Sequence, residues 1–434
     1  MGLIAGMRAL SELSADALAY FLRVAKQGDL PVFDLGPSQA VLVNHPDLIR
    51  QVLVDDAPKY WKAAMTKRLL GKGIGNGLLV SDGDYWRRQR RLVQPAFHAR
   101  RIEAYADVMV AQTERMIEAW RPGLEVDADD AMMRLTLGIV AKTLFDTDLA
   151  GDIEQIAQAV GVAQDLMAKA FRSFVRPPDW LPTRDNRRAR EAVRTLRGIG
   201  LRFVRERRAS GEDKGDLLSM LALSTDEDGS RMTDEQACDE ALTLLVAGHE
   251  TTANALCWCW VLLDQNPAAA EALRAELAAV LGDRPPAFAD LAHLPYLDAV
   301  IKETLRLYPV AWLFSRQPVE PVSIGGRAFP IGTRVMISPW VMHRDPRWFE
   351  EPEAFRPERW LDGLEKRLPK FAYIPFGGGP RICIGNSFAL MEARLVAATI
   401  ARRFRLAVAP GQRIATLPQI TVQPKYGLRM TVGK

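Results

Sequence analysis

The chain has little cysteine and little histidine, four and five residues among 434. Cys238, Cys257, Cys259 and Cys383 are too few and too unevenly placed for a disulfide framework, which fits a reducing compartment. A zinc site wants three or four Cys or His ligands. The one close pair, Cys257 and Cys259, lies in an apolar helical pattern where side chains two residues apart point about 200° apart, so core packing is the expected role. The histidines show no arrangement typical of Cys-His nucleophilic enzymes, and His45, His98, His249, His293 and His343 read as ordinary polar or capping residues. Charge of one sign is not in excess either: 57 Lys and Arg stand against 53 Asp and Glu, a net +4. So balanced a surface carries no strong field and implies no nucleic-acid partner.

Long uninterrupted apolar runs are also missing. Met1 to Leu10 is mildly apolar, but Arg8, Glu12 and Asp16 break it well short of the ~20 residues a spanning helix needs. No small-residue cleavage pattern follows an apolar core. A cytoplasmic protein without a membrane anchor is expected. The most hydrophobic segment, 241–263, carries His249, Glu250, Thr251, Thr252 and Asn254 at its centre. That pattern reads as a long buried helix with something polar to do halfway along.

What is present is an ordinary globular composition, 48% hydrophobic and 25% charged, without repeats or low-complexity linkers. Gln39–Val43 reads as a strand followed by a helix from His45-Pro46-Asp47. Residues 69–84, with Gly71, Gly73, Gly75 and Gly77, read as a loop; neither G-x-G-x-x-G nor a following Lys-Ser/Thr pair makes it a phosphate cradle. From Tyr85 to Tyr308 the pattern is mostly helical, residues 319–338 alternate around a Gly325-Gly326 hairpin signal, and a last helix is expected near Cys383. The expected class is mainly α with small β-sheets (α+β).

The densest motif is Phe376-Gly377-Gly378-Gly379-Pro380-Arg381-Ile382-Cys383-Ile384-Gly385. Its glycines permit backbone paths closed to other residues and let a bulky group approach the chain. A cysteine at a helix start would be favoured as thiolate by backbone N–H groups. Such a sulfur is a candidate nucleophile or metal ligand. With no His base and no companion ligands, haem iron held by a single thiolate is the economical alternative.

These ten residues match F-x-x-G-x-R-x-C-x-G, and here the sequence resembles the cytochrome P-450 family. Ala247-Gly248-His249-Glu250-Thr251-Thr252 resembles its (A/G)-G-x-(D/E)-T-(T/S), Glu303-Thr304-Leu305-Arg306 its E-x-x-R, and Trp86 through Arg90 its W-x-x-x-R. Phe355 to Trp360 resembles its P-E-R-F element, with Trp in the last place. Glu-x-x-Arg occurs five times in the chain, so position alone singles out Glu303: about 80 residues before Cys383 and followed by Leu307-Tyr308-Pro309.

The resemblance implies one domain over 1–434, with a β-containing part at about 30–60 and a helical core at about 85–310 and 383–404. It implies haem b between the central helix and the cysteine-loop helix, with Cys383 as the iron ligand, whose electron donation favours O–O cleavage. Phe376 would pack beside the sulfur. Arg381, Arg90 and Arg316, with the Trp86 indole N–H, would meet the propionates, and Ala247, Gly248 and Gly385 would lie against the cofactor. Gly248 would mark a local helix distortion that frees a carbonyl and makes room for O2. Thr251 would donate to the dioxygen while Glu250 replenishes protons through water. Glu303, Arg306 and Arg359 would form a buried ion network bracing the thiolate loop.

By the same resemblance the protein is a monomeric haem-thiolate monooxygenase. It inserts one atom of O2 into a hydrophobic small molecule such as a fatty acid or terpenoid. Electrons come from a separate ferredoxin- or flavodoxin-type donor with its NAD(P)H reductase, and Arg87, Arg88 and Arg91 form either a docking patch for that donor or a solvated helix face. The alternatives are a peroxide-dependent or rearranging haem-thiolate enzyme, which usually lacks the acid-alcohol pair, and a non-catalytic haem-binding sensor. The substrate pocket would be walled by residues 69–84, the helices between about 155 and 208, residues 246–251 and Val310 to Phe314.

Overall fold

A computed structural model describes residues 11–35, 38–145, 153–172, 178, 180–226 and 229–434. The chain divides into two compact units. The first comprises Met1–Ala63, Met109–Met132 and Thr251–Lys434, the second Ala64–Val108 and Met133–Glu250.

All the named strands belong to the first unit: β1 (Val32–Leu35), β2 (Ser38–Leu42), β3 (Tyr60–Lys62), β4 (Glu125–Asp127), β5 (Phe314–Pro318), β6 (Val322–Ile324), β7 (Arg327–Phe329), β8 (Arg334–Ile337), β9 (Arg405–Val408), β10 (Thr416–Pro418), β11 (Val422–Pro424) and β12 (Arg429–Gly433). A five-stranded sheet runs β1-β2-β8-β5-β3, antiparallel except where β2 meets β8. Its inner face buries Val41, Val335 and Ile337 with Ile49, Leu53, Phe371 and Ile374, so the sheet and the segment entering the glycine-rich loop share one apolar core. The β6-β7 hairpin turns at Gly325 and Gly326, both at positive φ, the conformation two-residue hairpin loops demand. His45 caps the helix Pro46–Arg50, its Nδ1 accepting from the Asp47 amide at 3.2 Å.

The second unit is helical among its described residues. Arg184–Ser210 starts at Thr183, whose hydroxyl accepts from the Asn186 amide, and ends on the left-handed Gly211, the cap pair that stops a helix at both ends. It packs along Ile153–Arg172. The helix Asp234–Gln265 runs 32 residues, its first half in this unit. Among the described residues no helix is long and apolar enough to cross a membrane.

Three local expectations change. Residues 69–84 are not one loop: a helix spans Ala64–Ile74 and takes in Gly71 and Gly73. The left-handed glycine that stops it is Gly75, φ 71°. The last helix is Asn386–Arg403, so Cys383 stands in the loop three residues ahead of it. Finally, the α-helix of the central segment continues through Gly248 without a change of type. A Cβ at Gly248 would meet Val140 at 3.2 Å, so close helix packing accounts for that glycine.

Candidate functional site

In the first unit, the loop 376–383 folds on itself: the Cys383 amide donates to the Phe376 carbonyl at 3.0 Å, and Gly377 and Ile382 donate to Ile374 and Gly379. Gly377 and Gly379 hold φ of 71° and 69°, which only glycine adopts without strain. A Cβ at Gly379 would land on the Leu53 carbonyl oxygen, and one at Gly378 on the Phe371 ring. The loop therefore lies pressed against the turn Gln51–Asp55, itself anchored in the sheet core. From below, the buried His343 accepts from the Ile374 amide at 2.8 Å. Burial pushes its pKa down to about 3, so its ring is neutral and keeps a lone pair for that amide.

This scaffold leaves Cys383 exposed while the other three cysteines are buried. Burial drives the Cys238 and Cys259 thiols up to about 12, and that of Cys257 well above the usual range. Of the four cysteines Cys383 alone is exposed, on the glycine-rich loop and three residues ahead of a helix start. Its neighbours Phe376 and Arg381 are half-buried. Arg316 is buried on β5, its guanidinium donating to the Ser315 carbonyl at 3.0 Å.

Glu303 and Arg306, on the helix Pro295–Leu307, are fully buried. Arg306 satisfies all five of its N–H groups: two on Glu303 at 2.8 and 2.9 Å, the rest on the carbonyls of His343, Pro352 and Ala354. Glu303 also accepts from Arg359 Nε at 3.0 Å, the Arg356 amide at 2.9 Å and the Trp360 indole at 2.9 Å. Trp360, where the family motif has Phe, thus supplies an N–H that Phe lacks. A buried charge cluster survives only when fully paired, and this one is. Through the His343 carbonyl it meets the residue that holds Ile374, beneath the thiolate loop.

Glu392, on Asn386–Arg403, is a residue the sequence reading did not single out. It is fully buried, and burial pushes its carboxyl well above the ordinary range, with the Thr252 hydroxyl offsetting this only in part. Trp312, expected on a pocket wall, is core: it packs edge-on against Phe21 and donates to the Gln419 carbonyl at 2.9 Å.

In the second unit, Trp86 and Arg90 share one face of the helix Gly83–Val93, one turn apart and both half-buried. Arg88 and Arg91 converge on Asp226 at 2.9 Å each, and Arg87 bonds Asp84 at 3.1 Å. All three cations are paired with carboxylates, Arg87 and Arg91 while more than half exposed and Arg88 while largely buried. Ala247, Gly248 and Glu250 lie on the last two turns of this unit's part of the central helix, and Thr251 follows as the first residue of the other unit's part. His249 is buried with Nδ1 2.8 Å from the Leu245 carbonyl, and desolvation lowers its pKa. The Thr136 hydroxyl donates to the His249 carbonyl at 2.9 Å.

No cluster of three or more His, Cys, Asp or Glu able to hold a metal occurs among the described residues.

Comparison with known proteins bears on the same site. The cytochrome P450 family model matches residues 16–431. Cyclooctatin synthase of Streptomyces melanosporofaciens is 42% identical over 93% of this chain and 89% of its own length. Cyclooctat-9-en-7-ol 5-monooxygenase of the same organism is 39% identical over 91% and 86%, and pentalenene oxygenase of Streptomyces avermitilis 34% over 95% and 92%. With a family model running almost end to end and relatives this similar over most of their lengths, the chain belongs to the cytochrome P450 family and is a monooxygenase of that family.

Proposed function

We propose that this monooxygenase oxidises a terpenoid-type hydrocarbon skeleton and that Cys383 carries its haem b. The carrying observation is the exposed Cys383 on a loop that Gly378 and Gly379 let press onto Phe371 and Leu53. The terpenoid assignment rests on the relatives' names, which concern a cyclooctatin-type alcohol and pentalenene.

When bound, the haem supplies O2 activation and accepts electrons singly. The chain's own residues do the rest. Cys383 would hold the group through its sulfur, with Phe376 and Gly385 beside it. Arg381, Arg90, Arg316 and the Trp86 indole would bind the propionates. Ala247, with no side chain beyond a methyl, would leave room for the group, while Gly248 serves the packing against Val140. The Thr251 hydroxyl would donate a hydrogen bond to dioxygen, and Glu250 would supply protons through water. Glu303, Arg306 and Arg359 hold the segment below the loop in place. Both compact units act as one cytochrome P450 domain, a cytoplasmic monomer that receives electrons from a ferredoxin- or flavodoxin-type donor and its NAD(P)H reductase.

The test is turnover of a terpene hydrocarbon panel by the holoenzyme reconstituted with such a donor. A product heavier by one oxygen atom, labelled from 18O2, is expected from at least one member. Oxygen incorporation only into fatty acids, or none with any donor, would remove the terpenoid assignment.

A further inference from the structure

The face of the central helix that carries Ala247 continues one and two turns toward the N-terminus through Thr243 and Glu240, since residues three, four and seven apart line up on a helix. Both are buried, Glu240 completely and Thr243 to 2% exposure. Glu240 uses only Oε2, which accepts from the Leu78 amide at 2.9 Å. Among the described residues its Oε1 and the Thr243 hydroxyl find no partner, nor does either polar atom of the fully buried Gln89. Gln89 lies one turn beyond Tyr85 on its helix, and Tyr85 is close enough to Glu240 and Asp239 for their charges to raise its pKa. Glu240 and Thr243 thus lie one turn apart on one helix face, and the helix that carries Gln89 passes near them at Tyr85.

A loop closes over this helix face. Asp239 takes the Asn76 amide at 2.7 Å and Arg197 at 2.6 Å. A Cβ at Gly77 would fall on the Thr243 hydroxyl, so loop and helix touch there. Unpaired buried polar atoms each cost about 1–3 kcal/mol, and so many in one spot are retained only for something that pairs them.

We propose that Glu240 and Thr243, with Gln89, are the specificity-determining residues that bind a hydroxyl group on an otherwise apolar substrate. An alcohol both donates and accepts, which suits a hydroxyl and a carboxyl one turn apart on a helix face. A substrate carboxylate would find no cation to spare, because Arg197 is already paired with Asp239. Burial raises the Glu240 carboxyl to about 8, so at neutral pH it offers an O–H and needs no cation. Seven residues of helix put Glu240 about 10 Å from Ala247 along the axis. The alcohol oxygen would thus sit roughly 6–10 Å along the helix from Ala247, a span that a cyclic terpenoid alcohol covers. The inference rests on the monooxygenase reading above only for what happens at the other end of the substrate.

The test is calorimetric binding of paired ligands to the holoenzyme: a panel of terpene alcohols, each beside its deoxy hydrocarbon and its amine analogue. At least one alcohol should bind about tenfold or more tighter than its hydrocarbon. That preference should fall below about threefold in Thr243→Val, while Glu240→Gln, whose amide donates and accepts as the neutral carboxyl does, should keep most of it, with hydrocarbon affinity unchanged in both. Both variants remove or neutralise an unpaired buried group, so neither should lower thermal stability. The proposal is overturned if no alcohol in the panel is preferred, if the preference survives Thr243→Val, or if the amine is preferred and Glu240→Gln abolishes that. Failure of the haem-thiolate reading would show separately, as loss of the carbon monoxide band in wild type.

Discussion

Replacing Trp360 by Phe removes one of five N–H groups from a carboxylate with no water to replace it. Glu303 accepts from Arg306 twice, from Arg359, from the Arg356 amide and from Trp360, all between 2.8 and 3.0 Å. A hydrogen bond to a charged group contributes about 1.5–3 kcal/mol, and shrinking the buried indole to phenyl adds a cavity term of about 1 kcal/mol. Trp360→Phe should therefore destabilise by about 2–4 kcal/mol. Glu303→Gln strands two buried guanidinium groups and should cost about 3–5 kcal/mol. Because both changes act on one carboxylate, the double variant should lose at least about 1 kcal/mol less than their sum. Urea unfolding of the holoenzyme followed by circular dichroism measures each value from midpoint shifts at common slope. A Trp360→Phe variant within about 0.5 kcal/mol of wild type, or a strictly additive double variant, would refute the reasoning.

Two further predictions concern the central helix. Thr251→Ala should leave donor-driven electron consumption largely intact while product per electron falls and peroxide rises, seen by oxygen-electrode and product assays; full coupling would remove the proton-delivery role. Glu240, raised by burial from 4.5 to about 8, is protonated in both folded and unfolded chains at low pH and so costs nothing there. As pH rises past the unfolded value the unfolded chain ionises first, and stability is lost up to the folded value. Glu240→Gln should accordingly be more stable than wild type by about 3 kcal/mol at pH 7 and indistinguishable at pH 4, by denaturant titration at both pH values; equal stability at both would contradict it.

The chemistry was legible wherever it sits in contiguous residues. The ten-residue cysteine motif and the acid-alcohol pair could be named without coordinates because spacing along the chain defines them. The Gly325-Gly326 hairpin and the His45-Pro46 helix start were equally local. What stayed hidden depends on partners far apart in sequence. The unpaired Glu240 and Thr243 are an example: the loop residue on Glu240, Leu78, lies 162 positions away. A signal did exist, since Glu240 stands among Cys238, Ala241 and Leu242, where a charge on an apolar stretch is conspicuous. Gly71 and Gly73 suggest a loop by composition, but a glycine breaks a helix only where φ turns positive, and of Gly71, Gly73, Gly75 and Gly77 only Gly75 does so. Strands β9 to β12 escaped notice because segments of three to five residues are too short to show alternation.

The central claim is that Cys383, and no other cysteine, is the axial sulfur ligand of the cofactor. It is tested most directly by adding carbon monoxide to the dithionite-reduced holoprotein and recording the difference spectrum. Wild type and the Cys238→Ala, Cys257→Ala and Cys259→Ala variants should show the red-shifted band diagnostic of thiolate-ligated haem, whereas Cys383→Ser, loaded with haem, should show none. Persistence of that band in Cys383→Ser, or its absence from haem-loaded wild type, would contradict the account.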